Sequence, residues 1–342
     1  MRSKYRETFG KDPEFYVRAP GRVNLIGEHI DYCGYAVLPM AVQQDILLAC
    51  GHNNSTLLQL ANVDSRYPSY SAPIDGLKID DVQPCWHHYF MCGVKAAVED
   101  AGACDLGVSP PGLDVMVHGT VPQSAGLSSS SALVIAKAQG LEMRKHLKLG
   151  ELQSLLRVAL HEMGTLAKSI LHPAAYTRDE LCTLFGMDDA QFERCFLGKN
   201  TKHLQEFKLH QRAVHVYEEA NRVWQFKDVC EGSHGTLSPS EQLSKLGQLM
   251  NDSHTSCRDL YECSHPDLDL LVEISLRAGA LGSRLTGAGW GGCSISLVPS
   301  DKLDAFLKEV GTKFYGKFGD SVAKDTAMFV TKPGSGAAIF VP

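Results

Sequence analysis

The stretch GTVPQSAGLSSSSALVIAKA, residues 119 to 138, constrains this chain more than any other. Its run of Gly and Ser opens directly into ALVIAKAQGLEMRKHL, whose small and apolar residues and basic last turn have helical composition. A loop of small residues feeding a helix start leaves backbone N–H groups free to point at an anion, and the helix dipole adds partial positive charge there. That geometry cradles a phosphate. The Walker pattern GxxxxGK[ST] is excluded because its Lys is absent, but serine hydroxyls can ligand Mg²⁺ and phosphate oxygens. A Ser-rich linker is the plain alternative, and the helical run that follows weighs against it.

Two further stretches carry chemistry. In RAPGRVNLIGEHIDYCGYAVLP, Arg22, Glu28, His29 and Asp31 crowd a Gly-punctuated turn between apolar runs. Carboxylates accept hydrogen bonds from hydroxyls, His donates or accepts, and Arg supplies a fixed cation, so the group suits a sugar beside developing negative charge. For EHxD alone, a solvated turn is the commoner explanation. In GSRLTGAGWGGCSISLV, residues 282 to 298, Gly287, Gly289, Gly291 and Gly292 leave the backbone bare enough for close approach. Alone, a glycine-rich connection between a helix and a strand is more often a tight turn than a ligand site.

The 342 residues favour two domains. Apolar runs broken by Gly and Pro between Phe15 and Cys50, then Leu57 to Ala61 and Leu113 to Val117, predict strands; His88 to Asp100 predicts a helix. Residues 149 to 276 are almost wholly helical in pattern, with turn signals at HPAAYT and EGSHGTLSPS. The end returns to strand character in GCSISLV and AAIFV, with a helix from Lys302 to Phe314 between them. With 44% hydrophobic and 21% charged residues and no long apolar run, no membrane span is expected. The charged N-terminus lacks a signal peptide's apolar stretch, which points to the cytoplasm. A net charge of −6 argues against nucleic acid. The eleven cysteines are scattered without a CxxC pair, and most are expected to be reduced and buried. His161 and Glu162 begin an HExx pattern that Thr165 breaks, which argues against zinc hydrolysis.

Taken jointly and in this order, the three motifs resemble the signatures of the GHMP kinases, and GRVNLIGEHIDY with VLP is similar to the galactokinase form of the first. PCWHHYF (84 to 90), FKLHQRAVHVYEEA (207 to 220) and SHTSCRDLYECSHPDLDLLVE (253 to 273) resemble the N-acetylgalactosamine kinase branch of that type. The resemblance implies an α+β, two-lobed fold, with an N-terminal α/β lobe over 1–148, a C-terminal α+β lobe over 149–342 and the site between them. It further implies transfer of the γ-phosphoryl group of MgATP to the anomeric hydroxyl of N-acetylgalactosamine, with galactose as the other acceptor, by a cytoplasmic monomer. Carried over by motif position, Arg22 would stabilise the transferring phosphoryl group and bind substrate, and Glu28, His29 and Asp31 would bind sugar hydroxyls. Gly126, Leu127, Ser128, Ser129 and Ser130 would wrap the triphosphate, with Ser130 touching magnesium. Trp86 and Tyr89 would lie against adenine, and the Thr286 to Gly289 turn would support the phosphate loop.

The family's GTEGGGMDQ segment, whose Asp faces the sugar hydroxyl, has no counterpart here. After Lys148 the chain runs through ELQSLLRVALHEMGTLAKSILHP and rejoins the pattern near His172, as if an internal block were missing. GMDDAQ at 186 to 191 is the nearest substitute, but Asp188 and Asp189 sit where an acidic helix start is expected. General-base assistance is worth roughly 10²–10⁴-fold, so the alternative expectation is a catalytically impaired protein that binds sugar and ATP.

Overall fold

The charged opening of the chain folds as a helix, α1 (Arg2–Phe9), which the sequence reading did not anticipate. Its signal is short-range and polar: Arg2 and Arg6 both bond Asp12, and Gly10 ends the helix at φ 73°. Tyr5 is its one fully buried side chain, packed with Ala49, Ala61 and Met116. The apolar runs become β1 (Phe15–Ile26), β2 (Leu38–His52), β3 (Leu57–Asn62), β4 (Tyr70–Pro73) and β5 (Leu113–Gly119). Between β4 and β5 lies α2 (Trp86–Ala103). The last strand of the chain, β10 (Ala338–Phe340), completes a six-stranded sheet in the order β10-β1-β2-β5-β3-β4. The β3–β5 pair is parallel and β2–β5 antiparallel, with Leu48 opposite Val117. This computed structural model describes every residue except 75–76, 81–82, 84, 104–110, 122–147, 234, 236 and 322–326.

The helical middle divides into α3 (Leu149–Leu156), α4 (Leu160–Ile170), α5 (Arg178–Phe185), α6 (Asp189–Phe196), α7 (Leu209–Glu231), α8 (Pro239–Ser256) and α9 (Pro266–Arg277). A short π turn, Cys257–Tyr261, continues α8, and β6 (Tyr176–Thr177) pairs with β7 (Glu206–Phe207). Asp188 caps α6 in a capping box with Gln191, so GMDDAQ is a helix start, as the residue pattern predicts. In the stretch where the family pattern lapses, Met163 and Ala167 of α4 pack with Val214 and Tyr217 of α7. Leu155, Leu156 and Ile170 nevertheless remain 70%, 47% and 68% exposed, an apolar surface of the kind that a missing block would leave.

Residues 282 to 298 read as one glycine-rich connection, but the structure inserts a strand. Gly282–Thr286 is β8, buried along its whole length and antiparallel to β9 (Cys293–Leu297), so only 287 to 292 form the turn. The sequence hides β8 because GSRLT has one apolar side chain and hence no alternation to detect. After β9 comes α10 (Leu303–Lys313).

The chain divides into two compact units: 1–24 with 39–145 and 315–342, which holds the sheet, and 25–38 with 146–314, which holds the helical layer. In the second unit Ile26 and Ile30 pack with Val216, Ala220, Val223 and Phe226 of α7 and Leu249 and Met250 of α8. Burying each of those isoleucines is worth roughly 1.5–3 kcal/mol, enough to seat the turn between them. None of the ten described cysteines forms a disulfide, but only Cys50, Cys257 and Cys263 are buried, fewer than expected. No helix among the described residues is long and apolar enough to cross a membrane.

Candidate active site

The turn Gly27–Ile30 is set by close packing and by one buried carboxylate. Gly27 adopts φ 107°, and a Cβ there would lie 2.9 Å from Val223, so no larger residue fits. Its amide donates to Glu219 Oε1 at 2.9 Å, the Glu28 amide reaches the same oxygen at 3.4 Å, and Ser253 Oγ donates to it at 2.6 Å. Arg222 Nε donates to Glu219 Oε2 at 2.7 Å. Glu219 is fully buried, which alone would raise its pKa. The nearby charges of Arg222, Arg284 and His215 and the Ser253 hydroxyl overcome that and hold it at about 2.

Glu28 in turn joins this turn to the glycine-rich one. Its Oε1 accepts from Arg284 Nη1 at 3.3 Å, Thr286 Oγ1 at 3.2 Å and the Gly287 amide at 3.0 Å. Arg284, with no exposed surface, also donates from Nε to Ser253 Oγ at 3.1 Å, and its Nη2 lies 3.9 Å from Glu219. His215 Nε2 lies 3.1 Å from the Glu28 carbonyl and must donate to it, so Nδ1 accepts from Ser256 Oγ at 2.8 Å. Burial lowers the His215 pKa and favours that neutral form.

His29 stands at φ 60°. Its Nε2 donates to the Ala288 carbonyl at 2.9 Å, and its Nδ1 lies 2.8 Å from Tyr32 Oη, which lies 2.5 Å from Tyr261 Oη. In the neutral ring this is a directed chain, Tyr261 to Tyr32 to His29 to the glycine-rich turn. The ring stacks on Tyr261 at 4.3 Å and meets Trp290 edge-on at 5.5 Å. Burial works against a charged His29, but hydrogen bonding and charge from Cys263, with the Ala288 carbonyl and Glu28, outweigh it and raise its pKa. Cys263 moves oppositely, to about 6, through its bond from Cys257, against burial, with His29 assisting. The two groups thus shift in opposite directions, each favouring the charged form of the other.

The glycine-rich turn closes over the same residues. A Cβ on Gly289 (φ 80°) would stand 2.1 Å from the Cys263 carbonyl, which accepts from the Trp290 amide at 2.6 Å. Trp290 Nε1 donates to the Glu262 carbonyl at 3.1 Å.

The structure thus brings Glu28 and His29 together with the Thr286–Gly289 turn. Asp31 lies in a short 3-10 turn (Asp31–Cys33) with an exposed side chain. Arg22 lies on β1, exposed, in the unit that holds the sheet. Trp86 and Tyr89 stand one turn apart at the start of α2 in that same unit; Trp86 Nε1 donates to the Pro68 carbonyl at 3.0 Å and Tyr89 is exposed. Their rings offer the flat apolar faces a purine needs. Gly126, Leu127, Ser128, Ser129 and Ser130 fall outside the described residues. Sequence reasoning passed over Glu219, Ser253, Arg284, His215 and Cys263. The available signal was a His and two adjacent Glu in the otherwise apolar face of AVHVYEEANRVW.

Residues 3–52 match the galactokinase galactose-binding signature, 88–178 the GHMP kinases N terminal domain and 236–316 the GHMP kinases C terminal domain. The chain belongs to the GHMP kinase family. This GHMP kinase is 29% identical to a galactokinase of Dictyostelium discoideum, over 97% of this chain and 92% of that one, and 26% identical to a galactokinase of Saccharomyces cerevisiae, over 98% and 93%. Its fold matches a Lactococcus lactis galactokinase crystallised with galactose (TM-score 0.61, 22% identity, 99% and 96% covered) and a Methanococcus jannaschii mevalonate kinase (TM-score 0.51, 19% identity, 87% and 94% covered). The Dictyostelium alignment runs over 470 positions for a chain of 342 residues, so at least 128 of them have no residue of this GHMP kinase opposite them.

Proposed function

We propose that this GHMP kinase transfers the γ-phosphoryl group of MgATP to the anomeric hydroxyl of N-acetylgalactosamine, with galactose as a second acceptor. The observation that carries the reading is the bond set of Glu28, which fixes the first motif to the glycine-rich turn through Arg284, Thr286 and Gly287. Such a brace orients a polar turn without leaving it to solvent. In this reading Glu28, His29 and Asp31 bind sugar hydroxyls and Arg22 stabilises the transferring phosphoryl group. Trp86 and Tyr89 face adenine. Gly126, Leu127, Ser128, Ser129 and Ser130 hold the triphosphate, with Ser130 as the magnesium ligand; when bound, the ion neutralises charge that builds on the phosphate oxygens. The N-acetylgalactosamine preference rests on the similarity at 84–90, 207–220 and 253–273. The protein acts as a cytoplasmic monomer.

A second reading, a binding protein with impaired transfer, is favoured by the unmatched positions, at least 128, together with the absent GTEGGGMDQ segment. Single-turnover transfer of labelled γ-phosphate at high protein concentration separates the two, with N-acetylgalactosamine and galactose as parallel acceptors and Arg22→Ala as control. Transfer that is fastest to N-acetylgalactosamine and lost in the control is expected. Calorimetric binding of sugar and MgATP without transfer selects the second reading, and binding of neither overturns both.

A further inference from the structure

Outside the site described above, one group of side chains is arranged for a different chemistry. Cys85 immediately precedes α2, and His87 and His88 fall in its first turn. The Cys85 thiol and one nitrogen from each ring lie within 4.8 Å of one another, which no other cluster of three or more His, Cys or carboxylate groups achieves among the described residues. We propose that Cys85, His87 and His88 bind a zinc ion through one thiolate and two imidazoles, leaving a fourth position open.

The local backbone keeps these groups together. The Cys85 amide donates to His88 Nδ1 at 3.0 Å, and the His88 amide donates to the Cys85 carbonyl at 3.1 Å. This reciprocal turn folds the four residues from Cys85 to His88 so that a residue and its neighbour three on present side chains to one point. Ligation through His88 Nδ1 exchanges the amide hydrogen bond for the ion. His87 contributes the observation that needs a ligand: its Nδ1 is buried and has no hydrogen-bond partner. Buried polar atoms in folded proteins are almost always satisfied, and an orphan is accounted for by an ion or a water. The ring is held in place by Tyr70 of β4, stacked at 4.0 Å and 12°. Fixing a ligand ring from behind is how outer-shell residues raise metal affinity.

The remaining adjustment is small. Zn–S near 2.3 Å and Zn–N near 2.0–2.1 Å in a tetrahedron place ligand atoms about 3.3–3.6 Å apart. Cys85 is the exposed member, with room to rotate about its own side chain as the ligand atoms draw in. A soft thiolate with two imidazoles selects zinc over the hard, oxygen-seeking magnesium of phosphoryl transfer. Three protein ligands with an open position leave room for water or another small donor. Trp86 and Tyr89 lie on the same helical turn, but the zinc site uses neither, and it stands whether or not they face adenine.

The test uses the full chain, freed of metal and titrated with zinc against a chromophoric chelator, with Co²⁺ as a spectroscopic substitute. One equivalent of zinc, and a thiolate-to-cobalt charge-transfer band that disappears in Cys85→Ser, are expected. His87→Ala and His88→Ala should each weaken zinc by more than the roughly 10–100-fold that loss of an outer-shell partner costs. All three substitutions lie outside the hydrophobic core, and unchanged thermal melting of the metal-free variants confirms that they fold. Should His87→Ala melt early, His87→Gln repeats the test with a ring-free amide of similar reach. A band that persists in Cys85→Ser would place the ion on other cysteines and overturn the assignment. So would zinc affinity unchanged in all three variants, or no stoichiometric binding by the parent chain.

Discussion

Replacing Arg284 with Met is expected to destabilise the protein by roughly 3–5 kcal/mol, the range for removing one partner of a buried ion pair. Arg284 has no exposed surface. Its loss strips Glu28 of one donor at 3.3 Å, Ser253 of another at 3.1 Å, and Glu219 of a cation at 3.9 Å. Met fills much of the same volume, so the cost is electrostatic rather than a cavity. For a unit the size of 25–38 with 146–314, about 2–4 °C per kcal/mol converts this to a fall in Tm of roughly 6–20 °C.

Acidity separates the charge argument from a packing argument. With its neighbours present, Glu219 is depressed to about 2 from an ordinary 4.5, so its contribution is present above pH 4.5 and is lost as pH falls through 2. Without Arg284, burial has less to oppose it and the Glu219 carboxylate moves upward. A raised acid destabilises the fold above its unfolded pKa and is relieved below it. The gap between the parent and Arg284→Met should therefore narrow as pH falls from 7 toward 4. Urea titrations of both proteins at the two pH values measure it. A gap under about 1 kcal/mol at pH 7, or one equal at both values, refutes the reasoning.

Two other perturbations probe the same region. Gly289→Ala should lower the urea midpoint, by about 1–3 kcal/mol in stability, because the residue stands at φ 80° with the Cys263 carbonyl 2.1 Å from the new Cβ; an unchanged midpoint would mean that the turn relaxes freely. For Cys263→Ser, the stability lost relative to the parent should be smallest near pH 5 and should grow as pH rises through 6 toward 9. A thiol depressed from 9.0 to about 6 contributes fully above 9 and nothing below 6, and His29, raised, gives up its own share as pH passes its folded pKa; a loss flat from pH 5 to 8 counts against the pair.

Much of this arrangement was legible in the sequence, for reasons that differ by residue. β3, β5 and α2 follow from apolar periodicity, and the α6 cap follows from Asp188 and Gln191 three apart. Those are local signals. β8 was not legible because its burial depends on Arg284 finding Glu28 and Glu219, and nothing in GSRLT announces that its Arg faces inward. α1 was hidden because its stability is carried by an ion pair to Asp12 and one buried Tyr5. For Glu28 and His29, sequence supplied the residues and their polar character but not their engagement with protein groups.

That engagement explains where the backbone is strained. Of the four non-glycine residues with positive φ among the described residues, His29, Glu262 and Trp290 converge: Trp290 bonds the Glu262 carbonyl and meets the His29 ring, and Gly287, Gly289, Gly291 and Gly292 adopt positive φ around them. Such conformations cost about 1–3 kcal/mol each and persist only where the surroundings over-determine them. Here the surroundings are the Glu28 carboxylate, the Glu219 carboxylate beneath it and Arg284 between them, joining segments 259 residues apart in sequence. The first motif and the glycine-rich motif are therefore one mechanical element. A substitution that loosens the buried charges should release the strained turn as well, so Arg284→Met is expected to change the fluorescence of Trp290, 60% exposed at the rim, under conditions where the fold is still intact.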